Sequence, residues 1–504
     1  MSKVRQIKQL SKDSVIYGLG DALKRMVALM LLPLYTRCLT PADYGKLELL
    51  TVTLNILFIF TSQGMSTAFF RHYAFLKTES QRSELLSTTY YYLITTSLFV
   101  CGILSLFLVP IGKIVFSDDT SFLLLRLIIL TGVFQTVSLI PYQLYRARLQ
   151  PMKYVGVSLT GFIVQVGLNI YFVVVLKIGI AGILTGNAIS ALLVVLINMV
   201  LIRKNITLHF SFSMLKDLLK FGLPLISVGI FTWIIQFSDK FLIQRFASVH
   251  DVGLYSLGSR FANILSLLFI GPFATAWGGY CFQIAATDNA KESFKTITTY
   301  LLFVLSFVGL GLIVFSPLAI KLIASAQFWD AHKVVLPLVC ANIAYSMFYT
   351  LGLGISIVKK TYYYSYIMCL GAILSVSLNV IFIPRYGMMA AGFVSFTCYT
   401  VIISITYYIS QKLYYIPFEK MRLLKLGLLF FAVSAGAWKF QMSGILSDVI
   451  FRVALLLSFI MSLYLVKFFG KKEINFIRQR ISTVLQQKGI LNKIQFGYRL
   501  IKLS

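Results

Sequence analysis

The chain has 504 residues, 58% of them hydrophobic and only 12% charged, and its mean hydropathy is +0.84. Soluble domains carry about one quarter charged residues, so a soluble globular protein is excluded and a membrane protein indicated. The formal net charge of +29 does not point to nucleic acid, because Lys and Arg lie in short turns between apolar runs rather than in one basic domain.

Apolar runs of about twenty residues, the length that crosses a hydrocarbon core of about 30 Å as a helix, recur along the chain. They predict about fourteen spans, near 14–37, 45–70, 84–109, 121–145, 154–176, 180–202 and 217–238. The others fall near 254–278, 296–316, 333–356, 362–383, 388–409, 423–440 and 448–466. The first thirteen residues are basic and polar (Lys3, Arg5, Lys8, Lys12). No short apolar core with a small-residue cleavage site follows them, so a removable signal peptide is not expected. One alternate set of loops, with both ends of the chain, holds 31 of the 46 Lys and Arg. The positive-inside rule places that set, and both termini, in the cytoplasm.

A weak repeat divides the chain. Arg37, Asp43 and Gly45 match Arg245, Asp251 and Gly253 at one constant offset, and Leu168-Asn169-Ile170 before Gly179 matches Leu378-Asn379-Val380 before Gly387. Two six-helix bundles follow, 1–204 and 205–415, both starting in the cytoplasm and so related by an axis along the membrane normal. Residues 416–470 then supply two additional helices. In 471–504 basic residues alternate with Ile, Leu and Phe, a pattern that suits either an amphipathic helix on anionic membrane lipids or a plain solvated tail. No loop before that tail leaves room for a soluble catalytic domain.

Charges inside spans are costly and usually face a cavity or a partner. In the first span Asp21 stands three and four residues from Lys24 and Arg25, which places all three on one helix face. Either they line a cavity or they snorkel to the headgroups. The matching positions of the seventh span, Gly229, Thr232 and Trp233, are uncharged, so the sequence assigns an asymmetric cationic site to the first half. Arg126 and Arg260 also fall within spans and could meet a phosphate bidentately, or snorkel to the nearer interface; Arg452 lies outside the repeat.

Asp43 and Glu48 could suggest a catalytic base, but Thr40-Pro41-Ala42-Asp43 reads as a capping box, repeated at Ser248 to Asp251. Asp239-Lys240 is either an ion pair or a gate contact. The six cysteines and four histidines show no metal-ligand or disulfide spacing. No Gly-rich phosphate loop with Lys and Ser/Thr is present, so nucleotide hydrolysis is not supported.

Three segments carry a family resemblance: LYTRCLTPADYGKLELL (Leu34 to Leu50), GMSTAFFRHYAF (Gly64 to Phe75) and LNVIFIPRYGMMAAG (Leu378 to Gly392). They resemble the polysaccharide or O-antigen flippases (Wzx-type) of the multidrug/oligosaccharidyl-lipid/polysaccharide (MOP) exporter superfamily. The resemblance implies an all-α, MATE-like integral membrane fold of two six-helix bundles. It also implies transport of undecaprenyl-diphosphate-linked oligosaccharide repeat units to the periplasmic leaflet of a bacterial inner membrane, for surface polysaccharide synthesis. By the same resemblance Arg37 and Arg71 join Lys24, Arg25, Arg126 and Arg260 as candidate diphosphate contacts. Asp21 is the candidate for H+ or Na+ coupling, with no other cofactor, and a polysaccharide polymerase and chain-length machinery are the expected protein partners. A lipid II flippase, a cation-coupled multidrug exporter of the same superfamily and a membrane glycosyltransferase or polymerase are the alternatives; the last would need acids beyond the capping pair.

Overall fold

The computed structural model describes residues 18, 20, 23, 24, 27, 30–115, 122–439 and 444–470. Their regular structure is entirely helical. The first elements are α1 (Leu32–Cys38), α2 (Pro41–Ser62), α3 (Met65–Phe75), α4 (Glu79–Leu106) and α5 (Leu108–Val115). Then come α6 (Phe122–Ala147), α7 (Pro151–Ile170), α8 (Ile180–Ile202), α9 (Phe212–Phe246) and α10 (Val249–Leu265). The chain continues through α11 (Gly271–Ala285), α12 (Ala290–Ile323), α13 (Val335–Leu351), α14 (Leu353–Ile357), α15 (Tyr362–Leu413), α16 (Lys420–Lys439) and α17 (Ile445–Leu465).

Eleven helices among the described residues are long and apolar enough to cross a membrane, fewer than the fourteen spans expected. Nearly half of the first expected span, and all of the proposed tail helix at 471–504, lie outside the described residues. The spans expected at 362–383 and 388–409 form one 52-residue helix, α15, interrupted at Gly387 by φ 57° and ψ −143°. At 1.5 Å per residue such a helix would run about 78 Å, more than twice the hydrocarbon thickness. Its non-helical glycine divides it at the turn the sequence indicates. The stretch expected to cross at 423–440 is helical as α16, but Lys420, Arg422 and Lys425 crowd its start and it is not among the eleven.

The first expected capping box is complete, and at the second the Ser248 side chain caps the helix and pairs with Asp251. Asp43 N–H donates to Thr40 Oγ1 at 3.1 Å and Thr40 N–H to Asp43 Oδ2 at 3.2 Å. In the second half Asp251 N–H donates to Ser248 Oγ at 3.0 Å, and the serine hydroxyl to Asp251 Oδ2 at 2.7 Å. Each cap satisfies orphan N–H groups of a first turn. They start α2 and α10 four to five residues earlier than hydropathy suggested, which moves Glu48 and Arg260 deeper into their helices.

The starts of α2 and α10 lie against each other, and only glycine fits. A Cβ on Gly45 would overlap the Val249 carbonyl, and one on Gly253 would overlap the Pro41 carbonyl. The other end of α2 breaks at Gln63 and Gly64, both left-handed at φ 46° and 66°. There Gly64 packs on the backbone of Gly222 in α9.

The structure divides into two compact units: Met1–Ala285 with Ser316–Tyr415, and Ala286–Phe315 with Ile416–Ser504. In the first unit α9 and α13 pack along α15, α2 along α10, and α4, α7 and α8 around α6, with α7 also along α8. Many helix faces expose large apolar side chains such as Phe99, Leu106, Ile163 and Leu196, as a lipid-facing surface requires. In the second unit Arg452 is buried, where its Nε donates to Asp448 Oδ2 at 2.6 Å and its Nη1 to the Val314 carbonyl.

Candidate functional site

Four charged side chains meet inside the first unit, next to a cavity of about 430 Å³. Glu48 comes from α2, Asp239 and Lys240 from α9, and Arg260 from α10. Glu48 lies seven residues into its helix, about 10 Å along the axis, and Arg260 eleven residues in, about 16 Å. Asp239 is seven residues from the far end of α9. All four fall within helices long enough to span a membrane.

One carboxylate holds two cations. Lys240 Nζ donates to Glu48 Oε2 at 2.8 Å, while the Arg260 guanidinium donates to Glu48 Oε1, with Nε at 3.1 Å. Glu48 is only 5% exposed and Lys240 7%; Arg260 keeps 35% of its side chain accessible from the cavity and rests over the Tyr44 ring, 5.3 Å from its centroid. Asp239 does not pair with its neighbour Lys240. Its Oδ1 accepts the Lys240 backbone N–H at 2.8 Å and its Oδ2 accepts the Tyr255 hydroxyl.

The formal charges of these four groups cancel. A neutral, mutually hydrogen-bonded set can be withdrawn from water at far lower cost than a lone ion. Glu48 belongs to the first sequence repeat, and its two cations belong to the second. The cluster therefore joins the halves by charge beside the place where Gly45 and Gly253 join them by packing. Asn263, Asn342, Tyr345 and Tyr399 complete much of the polar wall. Asn342 is fixed by donating to the Ala262 carbonyl at 3.1 Å.

The other sequence candidates do not converge here. Arg37 is exposed in the last turn of α1, where a cation suits the helix dipole. Arg71 is exposed near the end of α3, over the Phe221 ring at 4.6 Å, in a separate hollow with Asp217 and Lys220. Arg126 is exposed one turn into α6. Lys24 is half-buried and lines a second cavity, of about 570 Å³, enclosed by α2, α6, α7 and α8. Asp21 and Arg25 lie outside the described residues. Arg260 is the sequence candidate that the structure places in the charged cluster.

The sequence groups Glu48 with the capping acid Asp43, and Asp239-Lys240 reads equally as an ion pair or a gate contact. The available signal was polarity: each is an ionisable group within an otherwise apolar helix. Nothing local indicates that Lys240 reaches Glu48, 192 positions away.

The family described as "polysaccharide biosynthesis protein" matches residues 34–333, a stretch that contains Glu48, Asp239, Lys240 and Arg260. The chain belongs to the polysaccharide biosynthesis protein family. Among curated proteins it is 26% identical, over 292 residues, to a Haemophilus influenzae protein described as an uncharacterized membrane protein, covering 56% of this chain and 67% of that one. Among solved structures it resembles the lipid II flippase MurJ in an inward closed conformation, at TM-score 0.70 and 17% identity, over 90% of this chain and 100% of that one. It also resembles an inward-facing MATE multidrug resistance transporter of the MOP superfamily, at TM-score 0.56 and 14% identity, over 81% and 97% of the two chains. This member of the polysaccharide biosynthesis family therefore has the all-α fold of the MOP exporters.

Proposed function

We propose that the protein is a flippase that carries undecaprenyl-diphosphate-linked oligosaccharide repeat units from the cytoplasmic to the periplasmic leaflet of a bacterial inner membrane, for surface polysaccharide synthesis. The observation that carries this reading is the clamp of Glu48 on Lys240 and Arg260, across the two sequence halves and against a cavity. Separation of α2 from α9 and α10 removes one negative charge from the cluster. Asp239, Lys240 and Arg260 then remain together with a net positive charge, and Arg can hold phosphate oxygens bidentately. A diphosphate is the anionic part of such a lipid, and its two phosphates can take the place that Glu48 leaves.

Opening and reclosure of that contact is an alternating-access movement of the two six-helix bundles, 1–204 and 205–415, with 416–470 as an added pair. With both termini in the cytoplasm, the capped starts of α2 and α10 lie at the periplasmic ends and the charged clamp closes the outer side. Lys24 and Arg25 on the first helix, with Asp21 as a titrating neighbour, meet the diphosphate from the inner side. Arg37, Arg71 and Arg126, at helix ends, serve as headgroup anchors. H+ or Na+ coupling through Asp21, and handover to a polymerase with its chain-length machinery, complete the reading.

A cation-coupled multidrug exporter is the second reading, and Glu48 and Asp239 are intramembrane carboxylates of the kind it needs. Both are already engaged by cations or by a hydroxyl, which favours the anionic cargo. Deletion of the gene followed by analysis of lipid-linked intermediates tests the assignment. Repeat units accumulating on the cytoplasmic leaflet are expected; unpolymerised units accumulating outside would instead indicate a polymerase. Arg260→Gln should lower surface-glycan export at least tenfold at unchanged protein level, and normal export would remove Arg260 from the site.

A further inference from the structure

The cavity of about 570 Å³ within the first bundle differs from the charged one in chemistry. Among the described residues its polar lining is made of amides and hydroxyls from four helices, with Lys24 the charged side chain. A volume in the range of about 300–1,000 Å³ accommodates a small organic ligand. Asn55 on α2 and Gln135 on α6 both open into this space, accessible and with side-chain amides that form no hydrogen bond among the described residues. Ser138, one turn further along α6, is 5% exposed and its hydroxyl has no partner.

A second amide pair is held rigid. Gln165 Nε2 donates to Asn187 Oδ1 at 2.8 Å, and the Asn169 amide meets the same Asn187 group at 3.2 Å, so the Gln165 Oε1 stays open to a ligand beside a fixed row of amides. Two tyrosines, Tyr142 and Tyr154, stand edge to face at 5.2 Å on another part of the wall. Accessible amides bond water while the cavity is empty, so a ligand that displaces that water without loss must carry many neutral donors and acceptors of its own. An amide offers one donor and one acceptor side by side, the pattern that adjacent sugar hydroxyls complement, and aromatic rings cover the C–H faces of a pyranose. A cationic drug would call for a carboxylate, and none is among the described lining residues; an acyl chain would leave every amide unpaired.

We propose that this first-bundle cavity binds sugar residues of the oligosaccharide cargo, through Asn55, Gln135, Ser138 and the Gln165–Asn187 pair. The inference rests on the lipid-linked oligosaccharide reading above and adds a second, uncharged subsite to it. The cargo is then divided by chemistry, sugars against amides and diphosphate against cations, with Lys24 meeting the diphosphate beside the amide subsite.

The test uses full-length protein in lipid nanodiscs. The probe is the free oligosaccharide prepared by partial acid hydrolysis of the surface polysaccharide of the producing cells, with undecaprenyl diphosphate titrated separately. Binding by saturation-transfer NMR and titration is expected for the wild type. Asn55→Leu and Gln135→Met, near-isosteric and apolar, should each weaken the sugar about fivefold, the effect of one neutral hydrogen bond. Neither substitution should alter undecaprenyl diphosphate binding, which doubles as the check on folding. Should Asn55→Leu fail that check, Gln135→Met carries the test alone. Unchanged sugar affinity in a folded variant would overturn the proposal, as would a wild type that binds the lipid diphosphate but no sugar. Failure of the flippase reading registers differently, as absence of lipid-linked intermediates in the deletion strain.

Discussion

Replacing Glu48 with Gln keeps the shape of the clamp and removes its charge. Glu48 is buried, accepts hydrogen bonds from both Lys240 and Arg260, and is the acid that bridges them. Gln can offer one neutral oxygen and brings an NH2 that faces two cations. Breaking a buried ion pair by removing one partner costs about 3–5 kcal/mol. Arg260 is 35% accessible, so solvent screens part of its share, and the lower end, about 3 kcal/mol, applies. At about 1.4 kcal/mol per decade this moves the balance between joined and separated α2 and α10 by about a hundredfold. The reporter is Ser259→Cys, on the cavity wall, in a background without the six native cysteines. A membrane-impermeant thiol reagent is then applied to intact cells. Labelling should accelerate with Glu48→Gln by up to about a hundredfold, and adding Lys240→Met should return part of the difference by removing one stranded cation. Equal labelling rates with and without Glu48→Gln would refute the clamp as the element that holds the helices together.

Gly253→Ala tests the packing half of the same contact: its Cβ meets the Pro41 carbonyl, and overpacking of this kind costs about 1–3 kcal/mol. Faster labelling of the Ser259→Cys reporter is expected, whereas Gly102→Ala, with open space around it, should leave the rate alone. In the second unit, Arg452→Leu removes the buried guanidinium that Asp448 accepts from and should lower stability by about 3–5 kcal/mol in thermal unfolding. Pairing it with Asp448→Leu should recover most of that loss, since an apolar pair of similar volume has no desolvation cost.

Much of the fold is legible along the chain because its signals are local. Hydropathy sets the helical class, Thr40 and Ser248 set two helix starts within one turn of themselves, and Gly387 marks the break in α15. Two of the family motifs read in the sequence, Leu34 to Leu50 and Gly64 to Phe75, fall within the match over 34–333, and the third, Leu378 to Gly392, lies beyond it. Hydropathy alone places the starts of α2 and α10 too late, because each capped first turn carries polar residues while the helix is already under way. That displacement hid the depth of Glu48 and Arg260.

Composition, helix class, caps and the presence of unusual charges were thus determined by the sequence itself, since each depends on neighbours within about one turn or on a sum over the chain. Partnership was decided only by the tertiary structure. Glu48 stands 192 positions from Lys240 and 212 from Arg260, and charge alone does not say which of the many Lys and Arg will meet one carboxylate. The close approach of Gly45 and Gly253 makes that choice, because it brings α2 against α10 at a depth where an unpaired ion cannot be left.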